Sequence, residues 1–241
     1  MATVGELSDP YANFMRTPGR GTGCCTTCTT FVDPAYPRCY QCNSNQRWLA
    51  AVLPISYAER GGQLHTNLAG YKRWAPVPAE RTRLQLAAVL WRFIAAHEAC
   101  LATAARVDGF DLVTTVPSSD AGRDEHHPLR TIVGQVVEPT RDRHERVLRR
   151  STTAVEERGW DPRRFVAVRP LAGERVLLID DTWTTGARAQ TAAAALLGAG
   201  ASTVAALVIG RFINPGFADN ASRLAAVPRT FSWDTCGLHA P

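Results

Sequence analysis

The chain has 241 residues, of which 45% are hydrophobic and 20% charged, as is typical of one large domain with at most a small appendage. Its formal net charge of +5 fits either an ordinary basic protein or one whose ligands are anionic. The single lysine, Lys72, lies in Tyr-Lys-Arg and not in the Gly-Lys-Ser/Thr of a Walker A loop, which excludes a P-loop nucleoside triphosphatase of that kind.

Residues 1–23 are polar and rich in glycine and proline, and this composition predicts a flexible leader. They lack the positively charged start and the apolar run of a secretory signal. No apolar run in the chain approaches the roughly 20 residues needed to cross a bilayer. We therefore expect a soluble cytoplasmic protein without a membrane partner.

Residues 24–50 contain two Cys-x2-Cys pairs, which are separated by ten residues. Zinc prefers four tetrahedral ligands, and two cysteines at this spacing can turn both sulfur atoms toward one ion. All four coordination positions would be filled by the protein, so the role of the ion would be structural. The sequence therefore predicts a zinc knuckle with the ligands Cys25, Cys28, Cys39 and Cys42.

Other uses of the cysteines remain open at this point. Disulfides are disfavoured in a reducing compartment, whereas an iron–sulfur cluster or a redox-active dithiol could use such pairs. Cys24 could replace its neighbour Cys25 as the first ligand. Cys100 lies in a helical pattern and is interpreted as a small core residue. Cys236, followed by His239, has no recognisable partners in the sequence and is interpreted as incidental.

Residues 51–241 are expected to form the larger domain. From about Ala79 to Ala105 apolar residues recur at helical spacing, which predicts a long helix with one buried face. Around this helix the sequence shows, in chain order, an apolar stretch from Trp48 to Pro54, a polar turn at Gly61-Gly62, a buried strand from Asp111 to Pro117, a loop from Ser118 to Asp124 and a helix that starts near Pro128.

The second half of this domain has the pattern strand, helix, strand. Arg175 to Asp181 has the continuous apolar centre of a buried parallel strand. Ala187 to Leu197 is an alanine-rich helix that ends at glycines, Val204 to Ile209 is the next strand, and Phe165 to Val168 is a shorter candidate. Short connections between such elements define a βαβ unit. We therefore predict an α/β fold with a central, mostly parallel sheet flanked by helices.

The segment Arg141 to Arg150 carries five arginines against Asp142 and Glu145. Such a run is typical of a solvated or mobile face. A contact with phosphate groups or with nucleic acid is the alternative interpretation.

The most informative segment is Asp180-Asp181-Thr182-Trp183-Thr184-Thr185-Gly186, which lies between a buried strand and a helix. Ligands of open α/β sheets bind beyond the carboxyl ends of the strands. A tight turn there exposes backbone N–H groups, and the helix N-terminus adds partial positive charge. The threonine hydroxyls can donate further hydrogen bonds, and Gly186 permits close approach of the backbone. The segment therefore predicts a site for a phosphate.

The two acids of this segment do not suit a phosphate. Asp180 and Asp181 could instead accept hydrogen bonds from the vicinal hydroxyls of a sugar, so a ligand with a 5-phosphate and a free cis-diol would satisfy both halves of the segment. A plain helix N-cap at Asp181 or Thr182 is the alternative, and it leaves most of the string Asp-Asp-x-x-Thr-Thr-Gly unexplained.

Val176 to Ala187 closely resembles the motif that binds 5-phosphoribosyl 1-pyrophosphate (PRPP) in type I phosphoribosyltransferases. The cysteine knuckle, Leu68 to Lys72 and Val116 to Ser119 resemble the ComF-type branch, whose members join an N-terminal zinc-binding segment to a phosphoribosyltransferase domain. The resemblance covers roughly Cys25 to Arg211, and its loop motif is highly specific. Gly122 to Arg130 departs from the basic, Arg-Gly-Phe-Asn-like stretch usual in ComF-type chains, which leaves the acceptor site unassigned.

The resemblance also implies roles for individual residues. Asp180 and Asp181 would hold the ribose 2- and 3-hydroxyls and act in catalysis. The amides of Thr182 to Gly186, with the side chains of Thr184 and Thr185, would bind the 5-phosphate. Ser118 would lie in the loop that contacts pyrophosphate, and Lys72 would add positive charge.

The implied activity is transfer of the phosphoribosyl group from PRPP to a nitrogen acceptor, with release of pyrophosphate and with Mg²⁺ to neutralise the departing charge. A binding module that senses PRPP or a nucleotide without chemistry is one alternative. An accessory protein of DNA uptake, supported by the run Arg141 to Arg150, is another. The family carries a mobile basic segment near the position of that run. A homodimer is the expected oligomeric state.

Overall fold

The computed structural model describes residues 2–45, 47–118, 124, 126–153, 155 and 159–239. The main sheet consists of the strands β1 (Ala51–Glu59), β2 (Leu112–Thr115), β5 (Arg175–Trp183) and β6 (Thr203–Ile213). A separate antiparallel pair consists of β3 (Leu148–Arg150) and β4 (Phe165–Ala167). The α-helices of the described residues are α1 (Val4–Ser8), α2 (Tyr40–Ser44), α3 (Gln63–Gly70), α4 (Pro76–Ala104), α5 (Pro128–Thr131), α6 (Glu138–Arg141), α7 (Ala187–Gly198) and α8 (Asn220–Ala226). A 3-10 turn lies at Asp9–Asn13 and a π-helical turn at Ile132–Val136.

All four strands of the main sheet run parallel, in the order β1-β6-β5-β2. Ile179 of β5 lies between Thr115 of β2 and Leu207 of β6. Since β5, α7 and β6 follow each other in the chain, they form the predicted βαβ unit, and the α/β class with a parallel sheet is confirmed. The predicted strand at Phe165 exists as β4, but it pairs with β3 outside the main sheet.

Side chains of β5 alternate between two hydrophobic cores, one on each face of the sheet. Leu177 and Ile179 belong to the first core, together with α4, whereas Val176 and Leu178 belong to the second, together with α7. Because both faces of the sheet are covered, every side chain from Val176 to Ile179 is apolar, which explains the continuous hydrophobic run in the sequence.

The helix α4 is long and apolar enough to cross a membrane by length and composition alone. Of its most apolar window, 56% is buried inside the fold. Its residues Leu86, Leu90 and Phe93 pack in the first core. This burial is typical of a helix that covers the face of a sheet.

The composition of residues 1–23 predicted a flexible leader, but the described part of this segment contains two helical turns and packs against the first core. α1 begins with a capping box at Thr3. Tyr11 and Met15 are buried in the first core, and the hydroxyl of Tyr11 accepts a 2.9 Å hydrogen bond from Asn67. Two large buried side chains thus fasten a segment whose other residues are mostly polar, glycine or proline.

Candidate functional site

The carboxyl end of β5 carries the segment that the sequence singles out for ligand binding. The strand continues through Trp183, so Asp180 and Asp181 lie within it and the turn comprises residues 184–186. Gly186 has a φ of +80°, in the left-handed region, and is the N-cap of α7. A Cβ atom at this position would collide with the indole ring of Trp183. Backbone conformation and packing therefore both require glycine here.

The turn leaves several backbone donors without partners. In the described part of the chain, the N–H groups of Thr184, Thr185 and Gly186 donate no hydrogen bond. They directly precede α7, a helix of 12 residues, whose N-terminus carries partial positive charge. Free amide donors and the helix dipole together make this turn suitable for an anion such as a phosphate.

A cavity of about 480 Å³ opens at the same end of the sheet. Two carboxylates, those of Asp180 and Asp181, line it together with four cationic side chains. The excess of positive charge favours an anionic ligand, while the carboxylates offer acceptors for hydroxyl groups. The cationic residues of the cavity are Lys72, Arg73, Arg83 and Arg188.

Asp181 is buried and held by two partners that follow α3. Its carboxylate forms an ion pair with Lys72 and accepts a 2.6 Å hydrogen bond from the hydroxyl of Tyr71. Burial acts to raise the pKa of Asp181, but the charge and hydrogen bonds of these partners outweigh it and lower that pKa. Asp181 is therefore ionised, and Lys72 and Tyr71 already occupy part of its capacity to accept hydrogen bonds.

Asp180 lies on the opposite face of β5, because successive residues of a strand alternate. Its Oδ1 accepts a 2.9 Å hydrogen bond from the backbone N–H of Asp181, and its side chain is half-buried in the cavity wall. Burial, and then the charge of Asp181, raises the pKa of Asp180 to about 6. Of the two acids, Asp180 has more capacity left for the hydroxyls of a ligand.

Ser118 follows β2 and lines the same cavity. Its backbone N–H donates a 2.7 Å hydrogen bond to Asp124. Asp124 also accepts hydrogen bonds from Arg130 at 3.1 Å and from Arg146 at 2.9 Å, so one buried carboxylate organises the described ends of this loop. The rest of the predicted pyrophosphate loop, residues 119–123, lies outside the described residues.

The cavity brings together four of the residues predicted from the sequence, namely Lys72, Ser118, Asp180 and Asp181. The turn 184–186 adjoins them through β5 but does not line the described cavity wall. The indole of Trp183 is buried in the second core, so this residue can meet a ligand only through its backbone.

Several cavity residues were not predicted. Arg188, in the first turn of α7, donates a hydrogen bond to the carbonyl of Pro117 and so ties α7 to the end of β2. Burial, and then the charge of Lys72, lowers the pKa of His127 to about 4, so this side chain is neutral at pH 7. Its buried Nδ1 has no hydrogen-bond partner among the described residues. The pair His126-His127 is visible in the sequence, but only the path of the chain after β2 brings it to the cavity.

The run Arg141 to Arg150 contains both paired and exposed side chains. Arg143 forms an ion pair with Glu98, at 2.7 and 2.8 Å, and also donates to two backbone carbonyls. Arg146 pairs with Asp124. These two arginines serve the fold and the loop after β2, so the run does not form one continuous free cationic face.

The four cysteines of the two Cys-x2-Cys pairs lie together. Their sulfur atoms are all within 4.8 Å of one another, and the Sγ atoms of Cys28 and Cys39 are 3.8 Å apart. Cys39 is also the N-cap of α2, where it accepts a hydrogen bond from the N–H of Cys42. Four sulfur atoms in this arrangement could hold a structural metal ion such as zinc.

The cysteine segment packs against the same end of the sheet. Arg211, near the end of β6, donates hydrogen bonds to the carbonyls of Cys28 and Trp183 at 3.1 and 3.0 Å. Asn45 donates a 3.1 Å hydrogen bond to the carbonyl of Thr185, within the turn itself. The segment that can hold a metal therefore also supports the turn that can hold an anion.

No family model, curated protein or solved structure matches this chain. The indications of function are therefore the residues of the chain itself. The strongest of them are the two carboxylates, the free amides and the cationic cavity at the carboxyl end of β5.

Proposed function

We propose that the protein binds PRPP together with Mg²⁺ and transfers its phosphoribosyl group to a nitrogen acceptor, with release of pyrophosphate. One observation carries this proposal. At the end of β5, two carboxylates are followed within a few residues by three free amide donors at the start of α7. A sugar that carries both free hydroxyls and a phosphate is the ligand that uses both groups. We also propose that the fold is that of the type I phosphoribosyltransferases.

In the proposed complex, the amides of Thr184, Thr185 and Gly186 would donate hydrogen bonds to the 5-phosphate. Asp180 would accept hydrogen bonds from the ribose hydroxyls, and Asp181 would contribute the capacity that its present partners leave free. The pyrophosphate of PRPP would then lie toward the cationic side chains of the cavity. The excess positive charge there suits a group with several negative charges.

Mg²⁺ would neutralise the charge on the pyrophosphate as it departs. This ion is held in proteins by one or two carboxylates, by water and by substrate phosphates. Asp180 fits such a role, because its Oδ2 accepts no hydrogen bond from the described residues and its side chain lines the cavity.

In the proposed reaction, the lone pair of the acceptor nitrogen forms a bond to C1 of the ribose. The bond from C1 to the pyrophosphate oxygen breaks, and its electron pair leaves with the pyrophosphate. The transition state has oxocarbenium character, which nearby carboxylates stabilise. The nitrogen then loses a proton, and the ring of His127, which is neutral at pH 7 and lines the cavity, is the candidate to receive it.

We further propose that the metal in the four-cysteine group is zinc, because four thiolates form a closed tetrahedral site that suits this ion. All seven cysteines are free thiols, which agrees with a reducing compartment, and we propose that the protein acts in the cytoplasm.

Two measurements test the proposed activity: calorimetric titration with PRPP and Mg²⁺, and pyrophosphate release with a panel of bases and amines. Wild-type protein should bind PRPP saturably and release pyrophosphate with at least one acceptor. Asp180→Asn should weaken binding. Asp142→Asn is the matched control, because it changes an acid whose side chain is 82% exposed. Absence of PRPP binding in a folded sample with Mg²⁺ would overturn the proposal.

A regulator that binds PRPP without turnover is the second candidate. The ion pair between Lys72 and Asp181 favours it, because both groups are satisfied before any ligand arrives. Saturable PRPP binding without pyrophosphate release across the whole panel would select this function.

A further inference from the structure

A second group of potential metal ligands shares no residue with the cysteine knuckle. His97 and Cys100 belong to α4, whereas Cys236 and His239 belong to the C-terminal segment. Their four donor atoms all lie within 4.8 Å of one another. The Sγ of Cys100 is 3.2 Å from Nε2 of His239 and 3.8 Å from Nδ1 of His97. The Sγ of Cys236 is 3.7 Å from Nδ1 of His239.

The local backbone explains why each pair converges. His97 and Cys100 are three residues apart in α4, so their side chains lie on one face of the helix. Cys236 and His239 are joined by a tight turn, in which the N–H of His239 donates a 2.9 Å hydrogen bond to the carbonyl of Cys236. Each element therefore contributes one sulfur and one nitrogen ligand, and the packing of the C-terminal segment on α4 brings the pairs together.

The orientation of His97 matches that of a metal ligand. Its Nε2 lies 2.9 Å from the carbonyl of Trp233 and can donate its proton there. This tautomer leaves the lone pair of Nδ1 directed at the sulfur of Cys100. Histidine ligands of metals usually donate their other ring N–H to a carbonyl or carboxylate, which fixes the ring and raises its basicity.

We propose that His97, Cys100, Cys236 and His239 form a second zinc site, which fastens the C-terminal segment to α4. Two sulfur and two nitrogen ligands form one of the usual tetrahedral sets for this ion. All four positions are occupied by protein, so the site is structural. His97 and Cys236 are buried, while Cys100 is half-buried and His239 is exposed, so an ion can enter from the solvent side.

A disulfide between Cys100 and Cys236 is the competing use of this cluster. Both cysteines are free thiols in the structure. A disulfide would also leave two histidine rings, whose centroids are 5.7 Å apart, beside it without a function. Zinc uses all four side chains at once.

The experiment measures zinc per chain in the full-length protein, produced in zinc-supplemented medium and purified with a reductant and without chelators. We expect about two ions per wild-type chain, one for each four-ligand group, and about one in the double variant Cys236→Ser/His239→Ala. Both changes lie near the C-terminus, and circular dichroism shows whether the double variant still folds. His65→Ala, which removes a histidine outside both groups, should keep the wild-type content.

Cobalt substitution gives an independent readout. Loss of the second site should remove the absorption of a two-sulfur, two-nitrogen centre and leave that of the four-sulfur centre. One ion in wild type and none in the variant would support the second site and count against the knuckle. Equal zinc in wild type and variant would overturn the proposal. An intact mass lighter by two hydrogens, restored by reductant, would show the disulfide and overturn it as well.

Discussion

Replacing Asp181 with asparagine tests the role assigned to the end of β5. Asp181→Asn keeps the shape of the side chain and can still accept the hydrogen bond from Tyr71, but it removes the charge that pairs with Lys72. The side chain of Lys72 is 26% exposed, so its ammonium group can turn to water. A hydrogen bond to a charged group contributes roughly 1.5–3 kcal/mol. After allowance for that exposure, the free energy of unfolding should fall by about 1–2 kcal/mol.

The same substitution should weaken PRPP binding. A neutral amide accepts a weaker hydrogen bond from a ribose hydroxyl than a carboxylate does. The difference between a hydrogen bond to a charged acceptor and one to a neutral acceptor is about 1–1.5 kcal/mol, which raises the Kd roughly 5- to 13-fold. Calorimetric titration with PRPP and Mg²⁺ measures this Kd. Thermal unfolding measures stability, for which about 1–2 kcal/mol corresponds to a fall in Tm of roughly 2–8 °C.

The control for Asp181→Asn is Asp142→Asn, which should change neither the Kd nor the Tm. If Asp181→Asn lowered the Tm while the Kd stayed within about twofold, Asp181 would hold only the fold. The assignment of the ribose hydroxyls to this acid would then be refuted.

Three further results are expected. The pKa of Asp180 is raised to about 6 from an ordinary value of 3.8, so the folded protein holds this proton more tightly than the unfolded chain, and the contribution of Asp180 to stability falls as the pH rises between these values. PRPP binding, which needs the carboxylate, should strengthen as the pH rises through about 6 in calorimetric titrations. Because the phosphates of PRPP also lose protons near this pH, Asp180→Asn should reduce that dependence without removing it; an unchanged pH profile in the variant would contradict the assignment. Gly186→Ala should cost roughly 1–3 kcal/mol in thermal unfolding and weaken PRPP binding, whereas Gly198→Ala, where a Cβ meets no atom within 4 Å, should do neither; equal effects of both would contradict the strained turn. Arg211→Met, which removes the donors to the carbonyls of Cys28 and Trp183, should speed zinc release to a chelator and weaken PRPP binding together; a change in only one of them would show that the knuckle and the turn are independent.

The elements predicted from the sequence are those whose signals are local. The strand Arg175–Trp183 has a continuous apolar run, and the helix after it has strong alanine propensity and a glycine at each end. Similarly, the 29-residue helix α4 has one apolar face. Such patterns depend on neighbours within a few turns, so the chain itself displays them.

The features that were missed depend on contacts between distant parts of the chain. β1 contains Pro54 and Ser56, which obscure its strand pattern, yet pairing with β6 holds it in the sheet. Tyr11 is fastened to the fold through Asn67. Cys100 and His239 meet only because the C-terminal segment packs on α4, and no spacing rule covers a separation of 139 residues.

The cavity was predicted only in part for the same reason. Asp180 and Asp181 could be named because they stand beside a specific turn. The pairing of Asp181 with Tyr71 and Lys72 could not be predicted from the sequence. These partners follow α3, and Tyr71 is 110 residues away from Asp181 in the chain. Arg188 was not predicted, because it lies in a helix whose other residues are mostly apolar and give no sign of a ligand site.

Because side chains alternate along β5, Asp180 and Asp181 face different helical layers. Asp181 depends on the layer that contains α3 and α4, through Tyr71, whereas Asp180 faces the layer of α7. A substitution in one helical layer therefore contacts one acid directly and reaches its neighbour only through the charges of Asp181 and Lys72, which act on the pKa of Asp180. Two adjacent positions in the chain can in this way acquire separate acidities and separate partners without any alteration of the strand that joins them.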